Sequence, residues 1–352
     1  MASAVNVALI AMCKFHYIDC SMASPEDCKT LQGSIHAAVL HTLGKPPRFE
    51  PFPEPTAGEG EVIVQVQAAA LKPVDRQLAD GSHFASPREL PVVCGADGMG
   101  RLEDGTRVFF GGPRRPYGAM AERTVVRRVQ CFPVPDGVDD LTAAAIPNPG
   151  VSAWLSLQHR AKLAPGESVL ILGATGVTGK LAVQIAKVMG AGRVVAAGRN
   201  RKVLEALREM GADATISLDR PHEELVAAFR EAATKGFDVV IDYLWGAPTE
   251  ALLKALTRAE FAATGPETRL VAVGESAGPT ISLPSAVLRS TAVTILGTAG
   301  MPPMDLLANA MRQVMDHAAR GELRVDIEPV ALQDIESAWQ RDVRGRRLVV
   351  IP

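Results

Sequence analysis

The chain has 352 residues, a length that suggests two domains or one intertwined pair. Apolar residues make up 47% and charged ones 22%, which allows a sizeable core and excludes global disorder. Net charge is −2 with no long basic block, and no apolar run reaches the roughly 18 residues of a membrane span, so neither nucleic acid nor a membrane is an expected partner.

Residues 1–33 differ from the rest of the chain. VNVALIAM is apolar, but no Lys or Arg precedes it, which makes a poor secretory signal. CKFHYIDCSMASPEDCKTLQGS has no clear period. The segment is read as an N-terminal extension, with the folded part beginning at IHAAVL. The five cysteines, Cys13, Cys20, Cys28, Cys94 and Cys131, form no C-x-x-C. Neither a disulfide framework nor a zinc ribbon is expected, and the reducing cytoplasm is the expected setting.

From residue 34 to 151 the pattern is β-rich. IHAAVL, EVIVQVQAAAL, RVFFG and AERTVV are short β-prone runs separated by Pro and Gly clusters, which predicts a small irregular barrel. From Ser168 strands alternate with helices: SVLILG, RVVAAG, ATISL, DVVIDYL, RLVAVG and VTILG are the strand candidates. That alternation predicts an α/β domain with a doubly wound parallel sheet, placed at residues 152–288. Residues 289–352 hold one helix and short strands, too little for a separate domain, and are expected to return to the first.

Within VLILGATGVTGKLAVQIAK, three glycines stand three apart, Gly173, Gly176 and Gly179. A strand, a tight Gly turn and a helix start form the phosphate site of a dinucleotide fold, with free N–H groups and the helix dipole facing the anion. Ala174, Thr175, Gly176, Val177, Thr178 and Gly179 are the candidate cofactor contacts. A P-loop is excluded, because Ala174 stands where its first Gly belongs and Leu181 replaces its Ser or Thr. A short-chain reductase needs Tyr-x-x-x-Lys; four residues after Tyr17, Tyr117 and Tyr243 stand Ser21, Ala121 and Ala247.

The next strand selects the cofactor. An NAD site carries an acid there for the ribose 2′-hydroxyl. This chain has Gly198, Arg199, Asn200 and Arg201. Two guanidiniums suit a 2′-phosphate, so NADPH is the expected cofactor.

Taken with GEGEVIVQVQAAALKPVD, LEDGTRVFFGG, YGAMAE, PDGVDDLTAAAIPNPGVSAW and LAPGESVLILGATGVTGKLAVQIAK, the chain resembles the medium-chain dehydrogenase/reductase superfamily, and within it the zinc-free quinone oxidoreductase group. The resemblance covers about residues 34–352. It implies a GroES-like catalytic domain interrupted by a Rossmann domain. Zinc members of the superfamily place ligands where this chain has Lys72, Ala96 and Asn148. An ammonium, a methyl and an amide cannot hold zinc, so no metal is expected. Quinone oxidoreductases often have Asn and Tyr where this chain has Lys72 and Gln77. By family position Tyr243 is expected near the adenosine end of the cofactor and Gly274 near the nicotinamide ribose.

Without a metal, hydride transfer suits an acceptor activated by conjugation, a quinone or an enone, whose oxygen needs a donor or a cation. Lys72 is the first candidate, positioned by Asp75. Tyr117 is a candidate proton donor, and Asn148 a candidate amide donor. His83 and Asp97 are possible substrate-side groups, and Arg76 a salt-bridge partner. The expected function is NADPH-dependent reduction of a quinone or α,β-unsaturated carbonyl by a homodimer. The alternatives are an enoyl reductase of a biosynthetic pathway and a non-catalytic NADPH-binding regulator.

Overall fold

The computed structural model describes residues 33–257, 267–298, 300, 302–343 and 345–352. The extension expected over 1–33 therefore lies outside the described residues, apart from Gly33.

The β-rich part holds β1 (Ser34–Leu40), β2 (Arg48–Pro53), β3 (Glu61–Leu71), α1 (Pro73–Asp80), β4 (Val92–Val93), β5 (Asp97–Arg101), β6 (Arg107–Gly111), β7 (Arg123–Arg127) and β8 (Cys131–Pro133). β3 shows why the run folds as a strand. Val64, Val66 and Ala68 face the core while Gln65 faces out, the period of two that a half-buried strand needs. Its last four residues, Ala68–Leu71, are buried on both sides, which fits a strand end wedged between packed layers. β3 pairs antiparallel with β5 and β7, and β1 pairs antiparallel with β2 and β4 in a smaller sheet.

Two short helices leave this domain. α2 (Asp140–Ala145) is capped by Asp139, whose carboxylate accepts from Thr142 N at 2.9 Å. α3 (Pro147–Leu155) starts on a proline, which has no N–H to leave unpaired in the first turn.

The next stretch alternates without exception: β9 (Ser168–Leu172), α4 (Val177–Val188), β10 (Arg193–Gly198), α5 (Arg201–Glu209), β11 (Ala214–Ser217), α6 (His222–Ala232), β12 (Val239–Asp242), α7 (Gly246–Leu256), β13 (Thr268–Ala272), α8 (Ser285–Ser290) and β14 (Val293–Gly297). Among the described residues these strands form one parallel sheet in the order β11-β10-β9-β12-β13-β14. Val169–Leu172 and Val239–Asp242 are buried on both faces, as expected of strands covered by helices on two sides. The order runs outward from β9 in one direction and from β12 in the other. The crevice of such a sheet lies at the carboxyl ends of these two strands.

One boundary needs correcting. The parallel sheet does not stop at 288, because β14 is its last strand and pairs with β13 from Val293 to Gly297. VTILG is apolar enough to pack on the sheet, and α8 supplies the crossover.

The remainder is α9 (Met304–Ala319), β15 (Ile327–Ala331), α10 (Ile335–Trp339) and β16 (Arg347–Ile351). β16 pairs antiparallel with β3, Leu348 opposite Leu71, so the tail closes the first domain's sheet. α9 instead packs on α3, where a Cβ on Gly150 would come within 2.7 Å of Val314 Cγ1. One apolar cluster runs from Met99 and Phe109 through Trp154 and Val314 to Val169 and Ile171, and so joins both domains.

α4 is also fastened to the tail by polar contacts. The Gln184 amide donates to Arg324 O at 3.0 Å and its carbonyl accepts from Arg324 N at 2.8 Å. Lys180, also buried, pairs with Asp326 at 2.5 Å. Gln184→Leu keeps the volume but removes both hydrogen bonds, and should lower unfolding free energy by about 1–3 kcal/mol, read by urea denaturation.

Candidate active site

A cleft of about 280 Å³ lies between the domains. Lys72, Pro73, Val74 and Gln77 line it from the start of α1, Asn148 and Ser152 from α3, and Arg347 from β16. Thr178 lines it from the first turn of α4, and Tyr243 and Val273 from just beyond β12 and β13. The structure thus brings together Lys72, Asn148, Thr178 and Tyr243 from the sequence-based candidates.

The catalytic-domain wall is built around charge. Lys72 precedes Pro73 in extended backbone, and its own N–H donates to Asp75 Oδ2 at 2.8 Å, which closes the first turn of α1. Asp75 Oδ1 accepts from Ala96 N at 2.9 Å. The Lys72 ammonium meets Ala70 O at 2.9 Å, Asp97 Oδ1 at 2.9 Å and Asp75 Oδ2 at 3.1 Å. An ammonium has three hydrogens; Ala70 O and Asp97 Oδ1 take two of them, and Asp75 adds an ion-pair contact. Lys72 is therefore held mainly by protein acceptors inside the catalytic-domain wall, whereas its expected role as the oxyanion donor calls for a hydrogen aimed at the cleft. The lysine is 3% exposed and borders the cleft from the junction of β3 and α1. Burial opposes the ammonium, but Asp75 and Asp97 outweigh it and hold the Lys72 pKa above its ordinary value.

Asp97 is equally buried. Its Oδ2 accepts from Asn148 Nδ2 at 2.9 Å, so both oxygens are engaged and it is not a free substrate-side group. Burial pushes its carboxyl upward, with the Lys72 ammonium opposing and the Asp75 charge adding to the rise. Arg347 completes the set. It is 5% exposed, its Nη1 donates to Leu71 O at 3.1 Å, and its Nε has no acceptor among the described residues. Two cations and two carboxylates leave this buried cluster neutral. Arg347 escaped the sequence reading because nothing in RRLVVIP reveals that β16 will lie beside Leu71.

Tyr117 is not in the cleft. Its hydroxyl donates to Glu54 O at 3.2 Å and its ring meets Phe52 edge-on at 5.8 Å. His83 accepts from Ala85 N at 3.1 Å and stacks on Phe84, away from the cleft lining. Arg76 donates to the Arg341 carbonyl at 2.9 Å rather than forming an ion pair. Each is held by a neighbouring loop that the sequence does not place.

The opposite wall is built from backbone. Gly173 has φ +87°, and the N–H groups of Gly173 and Ala174 both donate to Ala197 O at 2.9 Å. A Cβ on Gly179 would stand 2.6 Å from Ala174 Cα, so only glycine lets the helix start this close to the turn. Gly176 is different: a Cβ there would meet nothing nearer than Gly173 O at 3.5 Å. Its open side adjoins the amides of Val177, Thr178 and Gly179, the first turn of α4, which a helix leaves without internal acceptors. A Cβ on Gly198 would strike Thr175, so that glycine locks the end of β10 against the turn. Arg199 and Arg201 are exposed beside it. Asn200 caps α5, its Oδ1 accepting from Val203 N at 3.2 Å, which orients its exposed side chain beside the two arginines.

Asp242 was not anticipated. Its buried carboxylate accepts from Leu244 N at 2.8 Å, Trp245 N at 3.0 Å and Thr249 Oγ1 at 2.5 Å, and so shapes the turn that carries Tyr243. Burial pushes its carboxyl above the ordinary range. A Cβ on Gly274 would stand 2.8 Å from Tyr243 O, so Gly274 lets the end of β13 lie against that turn. Tyr243 sits with Thr178, Lys72 and Asn148 in the cleft, after β12 on one side of β9, whereas Arg199 and Arg201 follow β10 on the other. Its hydroxyl is buried without an acceptor among the described residues.

A family model described as zinc-binding dehydrogenase matches residues 177–320. The quinone oxidoreductase of Thermus thermophilus, solved also in complex with NADPH, is 30% identical, with a TM-score of 0.74 over 90% of this chain and 100% of that one. The chain belongs to the medium-chain dehydrogenase/reductase superfamily, in its quinone oxidoreductase group. The chloroplastic NADPH-dependent alkenal/one oxidoreductase of Arabidopsis thaliana is 32% identical over 206 residues, 53% of this chain and 51% of that protein. The 2-methylene-furan-3-one reductase of Solanum lycopersicum is 32% identical over 206 residues, 53% of this chain and 50% of that protein. The alignments span about half the length of these two curated relatives.

The zinc in the family description does not fit this donor set. At the positions where zinc members place ligands, Lys72 is already ion-paired, Ala96 has only a methyl and Asn148 gives its amide hydrogen to Asp97. Lys72→Met should leave two buried carboxylates without their central cation and lower stability by about 3–5 kcal/mol, measured by chemical denaturation. Because the folded Lys72 pKa is raised, this contribution is complete below 10.5 and is lost as pH rises through the higher folded value. The gap between wild type and variant should therefore narrow only in strongly alkaline buffer.

Proposed function

We propose that the chain is an NADPH-dependent oxidoreductase that reduces a quinone or an α,β-unsaturated carbonyl. The observation that carries this reading is the pairing across one cleft of a dinucleotide turn with the Lys72–Asp97–Asn148 cluster. The first-turn amides of α4 and the open side of Gly176 would take the pyrophosphate. Arg199 and Arg201 would take the 2′-phosphate, and Thr178, Tyr243 and Gly274 would border the nicotinamide end. Tyr243 brings a buried hydroxyl without a partner among the described residues, a group suited to a polar atom of the bound cofactor.

Bound there, the reduced nicotinamide supplies a hydride. The conjugated carbon of the acceptor takes it, the electron pair moves to the carbonyl oxygen, and a proton from solvent completes the reduction. Conjugation matters because this cluster has no metal-ligating set to polarise an ordinary carbonyl. The names of the Arabidopsis and tomato relatives, an alkenal/one oxidoreductase and a furanone reductase, support the same acceptor class. We also propose a homodimer; β14 ends the parallel sheet as an edge strand, half-buried and available to a second copy.

Two measurements test the reading. NADPH should bind more tightly than NADH, and Arg199→Ala with Arg201→Ala should erase most of the difference, on the order of tenfold for each 1.4 kcal/mol of lost contact. Equal affinities in the wild type would remove the 2′-phosphate assignment. NADPH oxidation should accelerate with quinones and enones and not with saturated ketones. A chain that binds NADPH but reduces no member of that panel is a binding protein instead.

A further inference from the structure

Asn148 lines the cleft and is exposed to it, yet its amide nitrogen is held at 2.9 Å from Asp97 Oδ2. An amide nitrogen carries two hydrogens, and Asp97 takes one. A carboxylate can only accept, so Asn148 cannot rotate its own oxygen towards Asp97 without setting two acceptors against each other. Its orientation is therefore single-valued, and the direction of the second N–H is fixed by the amide plane. Asp97 is itself immobile: it is 4% exposed and its other oxygen is held by the Lys72 ammonium at 2.9 Å. Lys72 spends two of its hydrogens on Ala70 and Asp97 with Asp75 in ion-pair contact, and Tyr117 lies elsewhere.

We propose that Asn148 is the residue that hydrogen-bonds the acceptor's oxygen, and that Asp97, clamped by Lys72, is a positioning residue that aims the second N–H of Asn148 into the cleft. This rests on the reductase reading above and names how that site takes its substrate: through a neutral amide donor aimed by a buried carboxylate. The ligand class is an oxygen on which negative charge develops, the oxygen of an enone or quinone.

The test uses the full chain with ¹⁵N labelling. The Asn148 side-chain amide pair, assigned by its loss in Asn148→Ala, should be shifted from the free-amide position, and should return to that position in Asp97→Ala, which leaves no side-chain acceptor. In turnover with NADPH and an enone, Asn148→Ala should lower kcat about a hundredfold. Asp97→Asn should lower it about tenfold, with NADPH affinity unchanged, and the double variant should be no worse than Asn148→Ala alone. Losses that multiply in the double variant, or a wild-type kcat in Asn148→Ala, overturn the proposal. So does an amide pair that resonates identically with and without the Asp97 carboxylate.

If Asp97→Asn does not fold, Asn148→Asp at this exposed position decides. Two carboxylates so close must share a proton. Activity of Asn148→Asp should then rise as pH falls and the shared proton restores a donor, whereas a flat profile refutes the proposal. A wild type that reduces nothing in the panel sinks the reductase reading. In that event the amide resonance alone decides the positioning.

Discussion

A carboxylate cannot sit in a protein interior without partners, and the catalytic wall is organised by meeting that demand for Asp97. The residue opens β5, and its two oxygens reach in opposite directions, one to the lysine that begins α1 and one to the asparagine at the start of α3. Asp75 repeats the pattern on a smaller scale by joining the start of α1 to the backbone at Ala96. Three chain segments far apart in sequence are thereby held in one register. Because Lys72 and Arg347 balance Asp75 and Asp97, the cluster presents fixed dipoles to the cleft and no net charge.

The cofactor wall is held differently. Gly179, Gly198 and Gly274 are each placed where a side chain would collide with neighbouring backbone or with Thr175, and Gly173 takes a left-handed backbone. Asp242 gathers two backbone amides and a hydroxyl to shape the turn beneath Tyr243. Here shape is set by close main-chain approach. The open space over Gly176 is the exception, and it lies where a phosphate would meet the amides of α4.

The alternation of strands and helices and the Gly turn were legible because they are local: each rests on residues within one βα unit. So was the convergence of Lys72 and Asn148, since the resemblance put both at ligand positions of the zinc members. What Lys72 does there was not legible. Whether an ammonium faces the cleft or is spent on two carboxylates depends on β3 and β5 lying side by side, which no spacing states. Tyr117 looked like a proton donor because it sits in a Gly/Pro loop; its ring is turned onto Phe52 by a sheet that the sequence does not pair. Arg347 was invisible for the same reason. VTILG was among the strand candidates, yet the boundary at 288 left it outside the parallel-sheet domain, because the helix before it is too short to mark a βα unit.

The pairing of β16 with β3 has a consequence for how the molecule is made. The Arg347–Leu71 hydrogen bond joins residues 276 positions apart. The parallel sheet, by contrast, pairs strands far closer in sequence, the widest gap being that of β9 with β12, Val169 opposite Val239. Closing so long a loop is slow compared with local pairing, and domains form as units when their contacts are short-range. The cofactor-binding sheet thus has the means to fold while the barrel around it still lacks a strand. The charges about Asp97 are then the last to be balanced: until β16 docks, two carboxylates share one cation, and the wall that receives the acceptor is incomplete. A nascent chain would acquire its nucleotide site before its reaction site.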